Sequence, residues 1–240
     1  MAKKKNIWLS VIIPAYNEEK RIGNTLKRIS SFLDKKKFSY EILVVNDGSS
    51  DKTLDVACRF KNVKVISYDK NRGKGYAVRK GMLAARGDLL LFSDADLSTP
   101  IEELDRFLRF IDAYDIVIAS RALKGANIKL RQPFYREFIG KLFNALVQLL
   151  VLRGIKDTQC GFKLFTRSAA KKIFSKQCIN GFGFDVEVLY LARKYNLKIK
   201  ELPVTWVNSA DSKVRLVRDA IRMLRDMLQI KLNDMWGKYN

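Results

Sequence analysis

An alternation repeated along the first half of the chain constrains its fold more than any other feature. A short apolar run of strand length is followed by a polar turn and then an amphipathic helical pattern. Trp8 to Pro14 (WLSVIIP) is the first such run. Ile22, Leu26, Ile29 and Leu33 follow on one helical face, behind Asn17, which the pattern places as the helix cap. Tyr40 to Val45 (YEILVV) repeats the strand, and Asp47-Gly48-Ser49-Ser50-Asp51 makes a turn whose serines can cap a helix running to about Phe60. Val63 to Ser67, a helix from Gly75 to about Arg86, the strand Asp88 to Ser93, a helix opened by Pro100 and the strand Asp115 to Ser120 continue the series. Elements in this order predict an α/β fold, a mainly parallel central sheet with helices on both faces. Ligands of such sheets bind outside the carboxyl ends of the strands, where Asp47 and Asp94 both fall.

The second half changes character. A long apolar helix is expected from Phe134 to Leu152, then the loop Asp157-Thr158-Gln159-Cys160-Gly161-Phe162, a strand, and a helix from Phe184 to Tyr195. A strand from Lys198 to Trp206 and a helix from about Ser212 to Leu232 complete the series. No repeat or linker interrupts it, so residues 1–240 read as a single domain.

Composition removes several kinds of chemistry. The chain has no histidine, which excludes Ser/His/Asp and Cys/His triads and imidazole metal ligands, so carboxylates and arginines have to carry any reaction. Cys58, Cys160 and Cys178 are odd in number and form no CxxC pair, which argues against a disulfide framework or a zinc site and points to a reducing compartment. The amino terminus lacks the apolar core of a signal peptide, and a cytoplasmic location is expected. The longest uncharged run, Leu142 to Leu152, is well short of the ~20 residues a crossing helix needs. A net charge of +21 favours polyanions, whether nucleic acid, nucleotide phosphates or an anionic membrane face. The basic residues are dispersed and no nucleic-acid motif is present, so nucleic acid is not the expected partner.

Site chemistry concentrates in three corners. Asp94 and Asp96, one residue apart where an apolar strand ends, can offer oxygens to Mg²⁺ or Mn²⁺, which prefer one or two carboxylates plus substrate phosphates. An acidic turn capping the helix at Pro100 would have the same letters. Pro14-Ala15-Tyr16-Asn17-Glu18-Glu19 and Asn46-Asp47-Gly48-Ser49-Ser50-Asp51 share the sheet edge with that turn. Together they suggest a nucleotide pocket, with Asp47 suited to base or ribose and Asp51 read as a helix cap. Asn71-Arg72-Gly73-Lys74-Gly75 adds two cations on a loop, suited to a diphosphate or equally to an ordinary strand-to-helix turn.

With these motifs in hand, the sequence resembles the family 2 glycosyltransferases of GT-A fold. Within them it is most similar to the dolichyl-phosphate β-glucosyltransferases, with polyprenyl-phosphate mannosyltransferases as near relatives. The matching segments are VIIPAYNEEKRI, EILVVNDGSSDKT, NRGKGYAV, GDLLLFSDADLSTP, DTQCGFKLF, GFGFDVEVL and ELPVTW. The resemblance implies that Pro14, Tyr16, Glu18 and Asp47 hold the nucleoside of a nucleotide-sugar donor, and that Asp94 and Asp96 hold the metal and diphosphate. Ser98 stands where the mannosyltransferases carry a further metal ligand, Gln, and that difference favours glucose. Arg121, Arg131 and Arg136, with Lys213, are implied as ligands of the acceptor phosphate. Asp185 sits where sugar-acceptor relatives place a base. The acceptor implied is dolichyl or another polyprenyl phosphate, whose oxyanion is already ionised near neutral pH and needs no general base.

The expected activity is inverting, metal-dependent transfer of glucose from UDP-glucose to that lipid phosphate. The alternatives are mannose from GDP-mannose, or a saccharide or protein acceptor. Residues near 134–153 and 212–232 are candidate membrane-interface helices. On the latter, Arg215, Arg218, Arg222 and Arg225 edge an apolar face of Val214, Val217, Ile221, Leu224 and Leu228, widened by Met223, Met227 and Ile230. A helix packed on the sheet with solvated arginines fits the same pattern. The location expected is therefore peripheral, on the cytoplasmic face of a membrane. The sequence leaves the oligomeric state open.

Overall fold

The computed structural model describes residues 7–130, 140, 144–208 and 216–240. Strands β1 (Ile7–Ala15), β2 (Tyr40–Asp47), β3 (Val63–Tyr68) and β4 (Gly87–Ser93) alternate with helices α1 (Ile22–Leu33), α2 (Thr53–Cys58) and α3 (Lys74–Ala84). A 3₁₀ turn (Ile101–Glu103) leads into α4 (Leu104–Leu108), then β5 (Ile116–Ser120) and β6 (Asn127–Leu130). Helix α5 is described over 144–150. It is followed by β7 (Phe162–Thr166), α6 (Arg167–Phe174), α7 (Phe184–Lys194), β8 (Ile199–Pro203), β9 (Thr205–Val207) and α8 (Leu216–Met235).

Seven strands form one sheet in the order β3-β2-β1-β4-β7-β5-β8. The β1, β2, β3 and β4 pairings are parallel, as is β5 with β8, whereas β7 runs antiparallel between β4 and β5. The expected parallel sheet is therefore present with one reversed strand in its interior, next to the central β4. That reversal brings the loop preceding β7 alongside the carboxyl end of β4.

Alternation along the strands sends side chains to two cores. Leu9, Val11 and Ile13 join α1 and α4 on one face, while Ile12, Leu90 and Phe92 join α3, α6 and α7 on the other. Leu26, Ile29 and Leu33 are fully buried, as the helical spacing requires.

Three local expectations are corrected. Asn17 does not cap α1, which starts at Ile22; its backbone is left-handed (φ 54) and its side-chain oxygen accepts from Ser50 N at 2.8 Å, tying the first two loops together. The α2 start is held by Asp51, whose Oδ1 accepts from Thr53 N at 2.9 Å, while Ser49 Oγ accepts from Asn17 N instead. The single strand expected from Lys198 to Trp206 is two. β8 closes the large sheet and β9 pairs with β6 in a second, two-stranded sheet, because the chain leaves the first plane at Val204.

Candidate active site

The carboxyl ends of β1, β2 and β4 open onto a cleft of about 780 Å³, whose walls include Pro14, Tyr16, Glu18, Asp47, Lys74, Asp94 and Asp96. These residues, named from separate motifs, lie in one cavity because parallel strands deliver their exit loops to the same edge.

Asp47 ends β2, and its carboxylate accepts from Arg72 N at 2.8 Å, Gly73 N at 2.9 Å and Asn71 Nδ2 at 3.0 Å. It therefore folds the Asn71–Gly75 loop over the cleft while staying on its wall. Gly73 has φ 102 and a Cβ there would run into Asn180 O, so this loop passes where only glycine fits. Glu18 pairs with Arg21, which also lines the cleft and which the motifs did not single out.

The Asp94–Asp96 turn is fixed from several sides. Asp94 N donates to Gly161 O at 3.0 Å, Thr25 Oγ1 donates to Ala95 O at 2.6 Å, and Ser98 N donates to Asp96 Oδ1 at 3.0 Å. Gly161 abuts the Asp94 carboxylate so closely that a methyl group there would overlap it. The DTQCGFK segment is therefore the back wall of the acidic turn. Burial, and then the neighbouring Asp94, hold the Asp96 carboxyl above its ordinary pKa. Lys74 Nζ lies 2.7 Å from Asp94 Oδ1, and although burial opposes its charge, Asp94 and Asp185 keep the ammonium above its ordinary pKa.

Several expected residues are placed elsewhere. Asp185 is buried at the start of α7, ion-paired to the equally buried Lys163, and is absent from the cleft wall. Lys163 also donates to Cys160 O at 2.8 Å, so Asp185 braces the back wall through that lysine. Burial raises the Asp185 pKa, and Lys163 and Lys74 offset that only in part. Arg121 donates Nε and Nη2 to Asp157 at 2.7 and 2.9 Å, which commits one edge of its guanidinium to that acid, and it is absent from the cleft wall. Burial works against both charges of this pair, yet each partner more than restores the other, and the Asp157 pKa falls to about 2. Ser98 lines a small void with Asp94, Gly161 and Trp206, and Asp94 also lines the large cleft, where Ser98 itself is not part of the wall. Arg131, Arg136 and Lys213 lie outside the described residues.

Sequence reasoning missed one whole wall. Gly181 and Phe182, from the loop before α7, and Arg222, Met223, Arg225 and Asp226, from α8, complete the cleft. The sequence pattern offers these arginines either as the edge of a lipid-facing stripe or as solvated charges on a sheet-packed helix; in the structure they line the cavity. Asp226 Oδ2 accepts from Gly183 N at 3.3 Å, and Met227 and Ile230 are buried in the core, so this part of α8 is packed on the domain. An outer stripe remains uncovered: Leu224, Leu228 and Leu232 at four-residue spacing, then Met235 and Trp236. Leu149 and Leu150 of α5 are exposed as well, whereas Val147 is buried. Among the described residues no helix is long and apolar enough to cross a membrane.

A cleft of this size thus lies at the switch edge of a doubly covered sheet, with an acidic turn set against a lysine. The chain belongs to glycosyl transferase family 2, whose model matches residues 10–174. It is 39% identical to the dolichyl-phosphate beta-glucosyltransferase of Dictyostelium discoideum, over 97% of this chain and 76% of that one. The corresponding figures for the human protein of the same name are 37%, 96% and 77%. Among solved structures, a Mycobacterium tuberculosis glucosyl-3-phosphoglycerate synthase in complex with Mn²⁺, UDP-glucose and glycerol 3-phosphate superposes with TM-score 0.69 at 19% identity, covering 95% of this chain and 81% of that one. A mannosyl-3-phosphoglycerate synthase from Rubrobacter xylanophilus gives TM-score 0.70 at 20% identity, over 97% and 75%. These structural likenesses establish the shared fold.

Proposed function

We propose that the protein transfers glucose from UDP-glucose to dolichyl or a related polyprenyl phosphate, with inversion at the anomeric carbon. One observation carries this reading: Asp47, Lys74, Asp94 and Asp96 share one cleft in a chain that is 39% identical to a dolichyl-phosphate beta-glucosyltransferase. Pro14, Tyr16, Glu18 and Asp47 form the part of the wall suited to uracil and ribose. Asp94 and Asp96 suit a divalent ion. They are two carboxylates one residue apart, and burial, then Asp94, hold the Asp96 carboxyl above its ordinary pKa; no cluster of three or more metal-binding side chains occurs among the described residues. Mg²⁺ or Mn²⁺ bound by two carboxylates takes its remaining oxygens from phosphates and water, and it would offset charge on the departing diphosphate.

The residues of the chain then do the rest. Asp47 and its three donors hold the nucleoside end, and Lys74 presents a cation beside the acidic turn. An ionised oxygen of the acceptor phosphate attacks the anomeric carbon from the face opposite the nucleotide. The new C–O bond forms as the bond to the diphosphate breaks, the electron pair leaves with UDP, and no proton has to be removed from the acceptor. The buried Asp185 fits this scheme, since a phosphate acceptor requires no base.

Exposed Leu149, Leu150, Leu224, Leu228 and Trp236 suit a peripheral seat on a membrane surface, where such an acceptor resides. The test is transfer from radiolabelled UDP-glucose and GDP-mannose to membrane lipid with Mg²⁺ or Mn²⁺, followed by extraction into organic solvent. Label entering the lipid phase from UDP-glucose is expected. Label from GDP-mannose alone would replace the donor, and label confined to the aqueous phase would remove the lipid acceptor.

A further inference from the structure

We infer that Arg222 and Arg225 of α8 form an anion clamp in the cleft that takes the phosphate of the acceptor. This inference rests on the lipid-phosphate reading above and assigns that phosphate a binding site. The other cations of the cleft wall are engaged, Lys74 with Asp94 and Arg21 with Glu18. Arg222 and Arg225 line the same cavity, and neither is in a salt bridge among the described residues. Three residues apart on a helix, they project from adjacent positions of one face.

The neighbouring acid does not fill them. Asp226 feels the charge of Arg222, but its carboxylate is turned to Gly183 N, and burial keeps it above its ordinary pKa. The platform is fixed as well. Met227 and Ile230 are buried, Lys194 meets Asp234 at 2.6 Å, and the buried Tyr239 hydroxyl donates to Glu187.

The surroundings define the ligand class. An acceptor phosphate carries a negative charge into a cleft that already holds Asp94 and Asp96, so it needs cations of its own. Two guanidiniums match its oxygens in pairs. Met223 lies in the cleft beside them, and Leu224 and Leu228 continue along the exposed side of the same helix. Guanidiniums bordered by an apolar ridge fit a phosphate ester of a hydrocarbon chain better than a free sugar or a nucleoside.

The experiment is steady-state kinetics of the full chain with a short, detergent-soluble prenyl phosphate, so that loss of vesicle binding cannot imitate the effect. Arg222→Ala and Arg225→Ala should each raise the acceptor KM about tenfold, the loss of a charge-assisted contact, with the UDP-glucose KM within about twofold of the parent. Arg→Lys at either position should recover part of the loss. Should a variant fail to fold by circular dichroism, the Lys variants and inhibition by inorganic phosphate carry the test instead, with weaker inhibition expected than in the parent. An unchanged acceptor KM would overturn the clamp, and a rise confined to the UDP-glucose KM would reassign the arginines to the donor. A parent enzyme that glucosylates no prenyl phosphate would retract the function itself. Inorganic phosphate binding read by titration calorimetry, weaker in the Arg→Ala variants than in the parent, would still stand as a separate measure of the clamp.

Discussion

Asp94 and Asp96 show how much a side chain depends on its backing. Their letters are equally those of a helix-capping turn, and the difference lies in Gly161, against which the Asp94 carboxylate rests. Gly161→Ala should leave the fold intact and lower turnover about 100-fold, the order of cost of displacing a reacting group by an ångström, as read by kcat beside an unchanged circular dichroism spectrum. Asp96→Ala should abolish metal-dependent transfer, and full activity in that variant with Mn²⁺ present would remove the metal role. Because burial and Asp94 raise the Asp96 pKa, acidification should reduce activity above the usual aspartate range. Added Mn²⁺ should move that limb to lower pH, since ion and proton compete for the same oxygens.

Arg121 and Asp157 form an ion pair that contributes to stability. The Asp157 pKa is lowered in the folded state to about 2, below its unfolded value of about 3.9. Its contribution is therefore complete above the unfolded value and is lost as pH falls toward the folded one. Asp157→Asn should cost about 3 kcal/mol, the low end for breaking a buried pair, and should flatten the acid limb of a urea denaturation series.

Among the elements, α7 and α8 carry a division of labour that hydrophobic pattern alone does not disclose. Asp185 and Glu187, two residues apart on α7, are both buried. The first braces Lys163; the second accepts from Cys178 N, Ile179 N and the Tyr239 hydroxyl, pinning the chain end beneath α8. Tyr239→Phe should cost about 1–3 kcal/mol in thermal or urea unfolding, the price of a buried acceptor losing its donor, with little change in KM for either substrate.

Helix α8 has three kinds of surface: a core side at Met227 and Ile230, a cleft side at Arg222 and Arg225, and an apolar outer side at Leu224, Leu228 and Leu232. Leu228 is 64% exposed in the folded domain. Leu228→Glu should reduce partition onto lipid vesicles about tenfold, as expected for losing one large apolar side chain from an interface.

At the scale of the whole molecule, a charge of +21 is a statement about surfaces and association. With an apolar stripe on one helix, it predicts binding to anionic vesicles that weakens as salt rises and the Debye length shortens. Residual binding to neutral vesicles should remain through the stripe, and flotation at two salt concentrations separates the two contributions.

Strand and helix positions, the parallel sheet, the acidic turn and the cleft-lining Pro14, Tyr16, Glu18 and Asp47 were legible in the sequence, because they follow from short-range periodicity and from motifs whose spacing is fixed by adjacent residues. Tertiary structure alone decided the rest. It set β7 antiparallel beside β4, which made the DTQCGFK loop the backing of the acidic turn. It closed Arg121 onto Asp157 and buried Asp185 against Lys163, pairings between residues 36 and 22 positions apart that no local pattern encodes. It also turned Arg222 and Arg225 into the cleft. A helix's sequence specifies which residues share a face, but what that face meets depends on where the chain lays the helix.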